Sequence, residues 1–313
     1  MPDVVLHAVF GRDVRALLPN QVRNTMEDIP YTFALFGPDV WFLYEPWKRR
    51  EGRGRRMHTT KPGAFLMALA DRSRQSAHPE ALFSYLAGFL CHYALDTTAH
   101  PYIVYKTEHE SHFPRGHMAF EHSLDILELR RAGRWGEKHP VTRYYFPSIR
   151  LPDSLEADLD SVFEEIYGWK HCLRSLNHAW ARFRLGYRIL ENPKGWFARL
   201  ARITGSPVLK SLAYSESHYN GTDVENTSRT EWLHSHDDSI RSDADFRMLR
   251  SAAEDRAVEM INGAWDYIFT GKVDRSSLQA LIGNDSYLSG LPVDDPRNRN
   301  VASLLPPAKE AKP

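Results

Sequence analysis

The stretch "ALFSYLAGFLCHYALDTTAHP", residues Ala81–Pro101, decides the fold class. Its first ten residues carry no charge and have the length and composition of a buried helix. His92, Asp96 and His100 follow directly on this apolar run. Burying a charge without a partner costs several kcal/mol even after relaxation, so the three side chains need an explanation. The choices are a hydrogen-bonded core cluster, a catalytic acid–base pair or a metal site. His92 and Asp96 are four residues apart, which puts both on one face of a helix, one turn from each other.

Outward from this stretch the chain reads as helical. Apolar periodicity near 3.6 residues recurs over Pro62–Ser76, Pro79–Asp96, His117–Gly133, Asp153–Trp169, Ser175–Leu190 and Ala244–Gly271. No alternating strand pair and no internal repeat stands out. The expected architecture is all-α: one multi-helix domain over residues 1–282, then a loose Pro/Asn-rich tail over residues 283–313. A chain of 313 residues is long enough to bury a large core. Lys+Arg and Asp+Glu are equal at 40 each, so no global field recruits nucleic acid or an anionic membrane. Cys91 and Cys172 make no disulfide framework, which favours a reducing compartment. There is no basic segment followed by an apolar signal-like run and no stretch of about 18 apolar residues. The expectation is a cytoplasmic protein without a transmembrane segment.

The His-x3-acid spacing of His92 and Asp96 returns at His117 and Glu121, and again at His234 and Asp238. Chance supplies about two such pairs in a chain of this composition, so context has to separate them. The first two pairs share helices with apolar faces; the third lies in the polar segment Asp223–Asp238, beside Asn226, Trp232 and His236, and reads as a solvent loop. Upstream, His7 stands in "VVLHAVF", Asp39 in "FGPDVWF" and His58 in "RMHTTKPG". A lone His is more often a satisfied core residue, and an Asp after Gly-Pro more often a turn or cap. Together with the two helical pairs and His100 they make eight imidazole or carboxylate ligands in the first 121 residues. That mixture suits Zn²⁺ or a similar first-row metal better than Ca²⁺ or Mg²⁺. Eight are too many for one tetrahedral ion and fit a cluster of two or three.

The ordered series His7, Asp39, His58, His92–Asp96, His100, His117–Glu121 resembles the zinc-dependent phospholipase C family, whose fold is shared with single-strand-specific zinc nucleases. The resemblance covers residues 1 to about 130. It implies an all-α bundle in which Asp39, His58, His92 and Asp96 hold one metal, and His100, His117 and Glu121 a second. Asp96 then bridges to a third metal, held also by His7 and the chain's own N-terminus, here Pro2 after loss of the initiator Met. Two features depart from the family pattern. His100 follows Asp96 at a shorter spacing than in secreted members, so a different loop has to carry it. Val40 stands where phosphatidylcholine-cleaving members have an aromatic that helps hold choline.

The activity implied is hydrolysis of a phosphodiester by metal-activated water, with Asp39 orienting or deprotonating that water. The substrate is a phosphoester, a phospholipid or a nucleotide, and no stable nucleic-acid complex is expected. Asp125, one turn after Glu121, is a candidate acceptor for a ligand imidazole or else a solvated acid. "GRGRR", Gly52–Arg56, meets a phosphate or is a solvated loop. Two alternatives remain: a nuclease or nucleotidase on the same fold, with Trp41, Tyr44 and Trp47 as base-stacking aromatics, and a non-catalytic helical protein stapled by its metals.

Overall fold

The longest helix, α6 (Pro79–His109), is also the most deeply buried element. Leu82, Phe83, Leu86, Ala87, Leu90, Tyr93 and Ala94 are fully enclosed, so the helix is apolar all round and needs neighbours on every side. The computed structural model supplies them and describes residues 4–44, 52–109, 116–191, 195–215 and 222–298. α1 (Val4–Leu17), α3 (Asp28–Ala34), α5 (Pro62–Ser73), α7 (His117–Arg131) and α13 (Phe246–Trp265) all pack on α6. An outer set consists of α2 (Asn20–Thr25), α4 (Arg53–Thr59), α8 (Pro140–Tyr144), α9 (Glu156–Tyr167), α10 (Cys172–Leu190), α11 (Trp196–Thr204), α12 (Pro207–Leu212) and α14 (Arg275–Ile282). The molecule is an all-α bundle.

Local chemistry sets the helix ends. Pro62 occupies the first turn of α5, where its missing N–H costs nothing. Asp245 and Asp274 cap α13 and α14 by accepting from Met248 N–H and Ser277 N–H at 2.9 and 2.8 Å. α9 ends at Gly168, left-handed at φ 72°. No helix among the described residues is long and apolar enough to cross a membrane.

The structure corrects the sequence reading in three places. First, α6 does not stop near Asp96 but runs on through Pro101 to His109. His100 therefore lies on the same helix as His92 and Asp96, one turn further, and needs no loop of its own. Second, the polar segment contains a two-stranded antiparallel hairpin, β1 (Trp232–His234) with β2 (Asp237–Ser242). It is too short to show alternation, and buried polar groups organise it. Asn226 donates to the carbonyls of Thr230, Asp243 and Ala244, and Trp232 Nε1 donates to Ala244 O.

Third, the start of the expected tail is not loose. Residues 284–291 fold back onto α6, with Tyr287, Leu288 and Ser289 buried. A proline inside a helix leaves the carbonyl four residues earlier without its helical N–H partner, and that carbonyl is Thr97 O. Gly290, at φ +67°, lies so close that a Cβ there would stand 2.3 Å from it. His234 Nε2 meets Ser289 O at 2.9 Å, so the hairpin clamps this segment in place.

Candidate metal centre

Five local structures converge on one buried volume. α6 aligns His92, Asp96 and His100 on one face, and α7 brings His117 and Glu121 beside them. α1 contributes His7 and α4 contributes His58. The short 3₁₀ turn Gly37–Trp41 contributes Asp39. At Gly37 a Cβ would stand 2.5 Å from the His92 ring, so only glycine lets this turn lie against the imidazole. All eight sequence-selected residues in the described part of the chain therefore meet; Pro2 lies outside the described residues. Every one but His117 is buried.

The separations are those of ligands sharing metals. Four ligands about 2.0–2.1 Å from a tetrahedral ion stand about 3.4 Å from one another. His58 Nε2 is 3.2 Å from Asp39 Oδ1, and His92 Nε2 is 3.1 Å from Asp96 Oδ2. His7 Nε2 lies 3.3 Å from Asp96 Oδ1, on that carboxylate's other side. His100 Nε2 and His117 Nε2 stand 3.6 and 2.9 Å from Glu121 Oε1. Three sets of three can each surround an ion: Asp39, His58 and His92; His7, His92 and Asp96; His100, His117 and Glu121.

Hydrogen bonding agrees with that use. Nδ1 of His58, His92 and His100 donates to the carbonyls of Gly54, Leu35 and Tyr287 at 2.7, 3.2 and 2.6 Å. A carbonyl can only accept, so each imidazole is fixed with its proton on Nδ1 and its lone pair on Nε2. Those three Nε2 atoms, both oxygens of Asp96 and Oδ1 of Asp39 are buried with no hydrogen bond among the described residues. A few buried polar atoms are tolerated anywhere; six together aimed at one volume make a lining that could hold cations. Among the described residues no Lys or Arg pairs with Asp39 or Asp96.

Burial pushes the imidazoles of His7, His100 and His117 below their ordinary value, toward the neutral form that binds metal. Burial acts on His92 in the same direction, but the carboxylates of Asp96 and Asp39 outweigh it and raise that imidazole. Burial alone would raise Asp96; the surrounding imidazoles reverse this and hold it ionised, well below the usual carboxylate range.

Other sequence candidates take different roles. Asp125 accepts from Val5 N–H and Leu6 N–H at 2.9 Å each, and from the Tyr214 hydroxyl at 2.8 Å. It satisfies two buried N–H groups in the first turn of α1 and so sets the position of His7. Trp41 is buried and Arg53 lies over its ring, over Tyr44 and over Trp169, so Trp41 offers no face to a base; Trp47 lies outside the described residues. Arg53 and Arg56 thus make cation–π contacts, Arg56 with Tyr167 and Trp169. Sequence reasoning missed the orienting carbonyls and Tyr287, whose ring packs edge-on to His58 at 5.2 Å. Only Gly54, four residues before His58 on one helix, carried any signal in spacing.

No curated protein and no solved structure matches the chain. A family description does: zinc dependent phospholipase C, over residues 12–173, slightly more than half the length. That span contains seven of the eight converging side chains, His7 alone preceding it. The chain belongs to the zinc-dependent phospholipase C family, a family of hydrolases.

Proposed function

We propose that this chain is a metal-dependent phosphoesterase of the phospholipase C type, hydrolysing a phosphodiester at a cluster of three zinc ions. The single observation that carries the reading is the convergence of eight imidazole and carboxylate side chains at ligand-to-ligand separations, with Nε2 of His58, His92 and His100, both oxygens of Asp96 and Oδ1 of Asp39 buried without a hydrogen bond among the described residues. Asp39, His58, His92 and Asp96 would hold one ion, and His100, His117 and Glu121 a second. Asp96 would bridge to a third, shared with His7 and the terminal amine of Pro2. Zinc in such a cluster lowers the pKa of bound water toward neutrality and offsets negative charge on the phosphoryl oxygens.

The chain's own residues divide the remaining work. Asp39 turns Oδ1 inward to His58 and keeps 8 % of its side chain exposed, so it can align an attacking water and accept its proton. The His117 side chain is 23 % exposed, which marks the side from which an ester approaches. The three carbonyl-bound imidazoles present Nε2 without any change of tautomer. The buried Trp41 weighs against base recognition and favours a phospholipid or other small phosphodiester over a nucleic acid.

The test is a screen of phosphodiesters and phosphomonoesters with zinc-loaded protein. Turnover of a phosphodiester that is lost on chelation and restored by zinc is the expected result. A metal-loaded, folded protein that turns over none of them would leave the metals a structural role.

A further inference from the structure

We propose that α11, with the adjoining part of α10 and with α12, is a docking surface for an anionic phospholipid bilayer, an assignment that does not depend on the chemistry at the metal centre. Trp196, Leu200 and Ile203 fall at i, i+4 and i+7, so they share one face of α11. They are 64, 39 and 80 % exposed, and Leu185 on α10 adds a fourth large apolar side chain at 61 %. Elsewhere the exposed large hydrophobics are scattered along the chain, whereas these four lie within 19 residues. A cavity of about 320 Å³ opens between Leu185, Ile189 and Trp196 and continues the apolar face. The opposite edge of α11, at Ala201, is buried, so the helix lies flat on the protein with its apolar stripe outward.

Charge selects the occupant. Residues 182–210 contain seven basic side chains and one acid, in a chain whose charges cancel overall. The one acid, Glu191, is buried against Thr142 and projects no field outward. Arg188, Arg199, Arg202 and Lys210 are exposed and form no ion pair among the described residues. On α11, Arg199 and Arg202 flank the stripe of Trp196, Leu200 and Ile203. An apolar stripe with an aromatic and a basic flank is the pattern of a helix lying in the interface of a negatively charged membrane. A protein partner of ordinary composition accounts for the stripe but not for the one-sided charge.

The surface is also fixed to the site. α12 packs on α7, which carries His117 and Glu121, and α11 packs on α10 and α12. Tyr214, just after α12, stacks on His122 of α7 with ring centroids 4.2 Å apart. Docking through α11 therefore brings a bilayer to the elements that frame the metal centre.

The experiment is co-sedimentation of full-length, zinc-loaded protein with vesicles of phosphatidylcholine alone or with about 30 % phosphatidylglycerol. Binding is expected to the anionic vesicles and to weaken as salt is raised. Arg199→Gln/Arg202→Gln should lower partitioning about 30-fold, and Trp196→Ser/Ile203→Ser at least tenfold. All four positions are on the surface, so helicity and turnover of a water-soluble phosphodiester should not change. Equal binding to pure phosphatidylcholine, variants that bind like the parent, or retention by a single-stranded oligonucleotide in place of vesicles would each overturn the proposal. Vesicle binding without any phosphoester turnover leaves the docking surface and removes the proposed chemistry. Turnover of a soluble diester without vesicle binding does the reverse.

Discussion

Replacing Gly290 with alanine should damage the metal centre without touching any ligand. Gly290 sits at φ +67°, and a Cβ there would approach Thr97 O to 2.3 Å. An ordinary contact begins near 3.4 Å, so the segment has to retreat by about 1 Å. Gly290 N–H is tied to Ser286 O at 2.9 Å, so the loop moves as a unit with Tyr287 inside it. The bond from His100 Nδ1 to Tyr287 O is 2.6 Å; lengthened by about 1 Å it ceases to be a hydrogen bond. Left-handed strain at alanine costs about 1 kcal/mol and an unsatisfied buried donor about 1–3 kcal/mol more. Loss of an orienting partner of a ligand histidine typically weakens metal binding by about 10–100-fold. Zinc competition against a chelating dye, with thermal melts of loaded and stripped protein, measures both effects. Gly133→Ala is the control, because Gly133 has φ +66° but nothing within 4 Å of a Cβ. It should show the strain alone and bind zinc normally. If Gly290→Ala keeps full zinc affinity, the C-terminal segment does not orient His100 and that argument fails.

Three further outcomes follow from the site. Asp39→Asn keeps the shape of the side chain but cannot take a proton, so phosphodiester turnover should fall about 10²–10⁴-fold while zinc content falls far less; steady-state kinetics beside elemental analysis would expose an unchanged rate. Asp125→Ala leaves two buried N–H groups of α1 unsatisfied and should destabilise the fold by about 2–5 kcal/mol, seen in denaturant melts, with loss of the zinc that His7 would hold; an unchanged midpoint would contradict it. Metal-stripped protein should lose stability as pH falls through about 6.5. The folded-state values of His7, His100 and His117 lie below the unfolded value of 6.5, so the unfolded chain binds more protons there. The three imidazoles therefore favour unfolding as they protonate, partly offset by His92, which is raised. Denaturant midpoints that stay flat from pH 7.5 to 5.5 would show that the imidazoles protonate freely.

Much of the helical bundle was legible because its signal is local. Apolar periodicity marks α5, α6, α7, α9, α10 and α13. The eight ligand-type side chains were legible for a related reason. A charge-bearing residue on an otherwise apolar face is costly, so each one stands out without any knowledge of its neighbours. What was not legible depends on contacts distant in sequence. Leu35 O and Tyr287 O orient His92 and His100 across 57 and 187 residues, and a backbone carbonyl leaves no mark on residue identity. Asp125 looked like a neighbour for an imidazole by helical spacing, yet it reaches across 119 residues to the start of α1. The helical pattern was read only as far as Asp96, but tertiary packing overrides the local preference and carries α6 through Pro101 to His109. The polar composition of residues 284–291 suggested a tail because nothing local reveals that Gly290 fits against Thr97 O. Global neutrality likewise concealed the one-sided charge of residues 182–210.

The most direct test of the account is the metal content of the purified protein. Elemental analysis after gentle purification should find about three equivalents of zinc per chain, or of a similar first-row metal. Asp96→Ala should remove about two of them, because Asp96 would hold one ion with one carboxylate oxygen and reach a second with the other. Folded, homogeneous protein that carries no first-row metal and takes up none on titration would contradict the central claim.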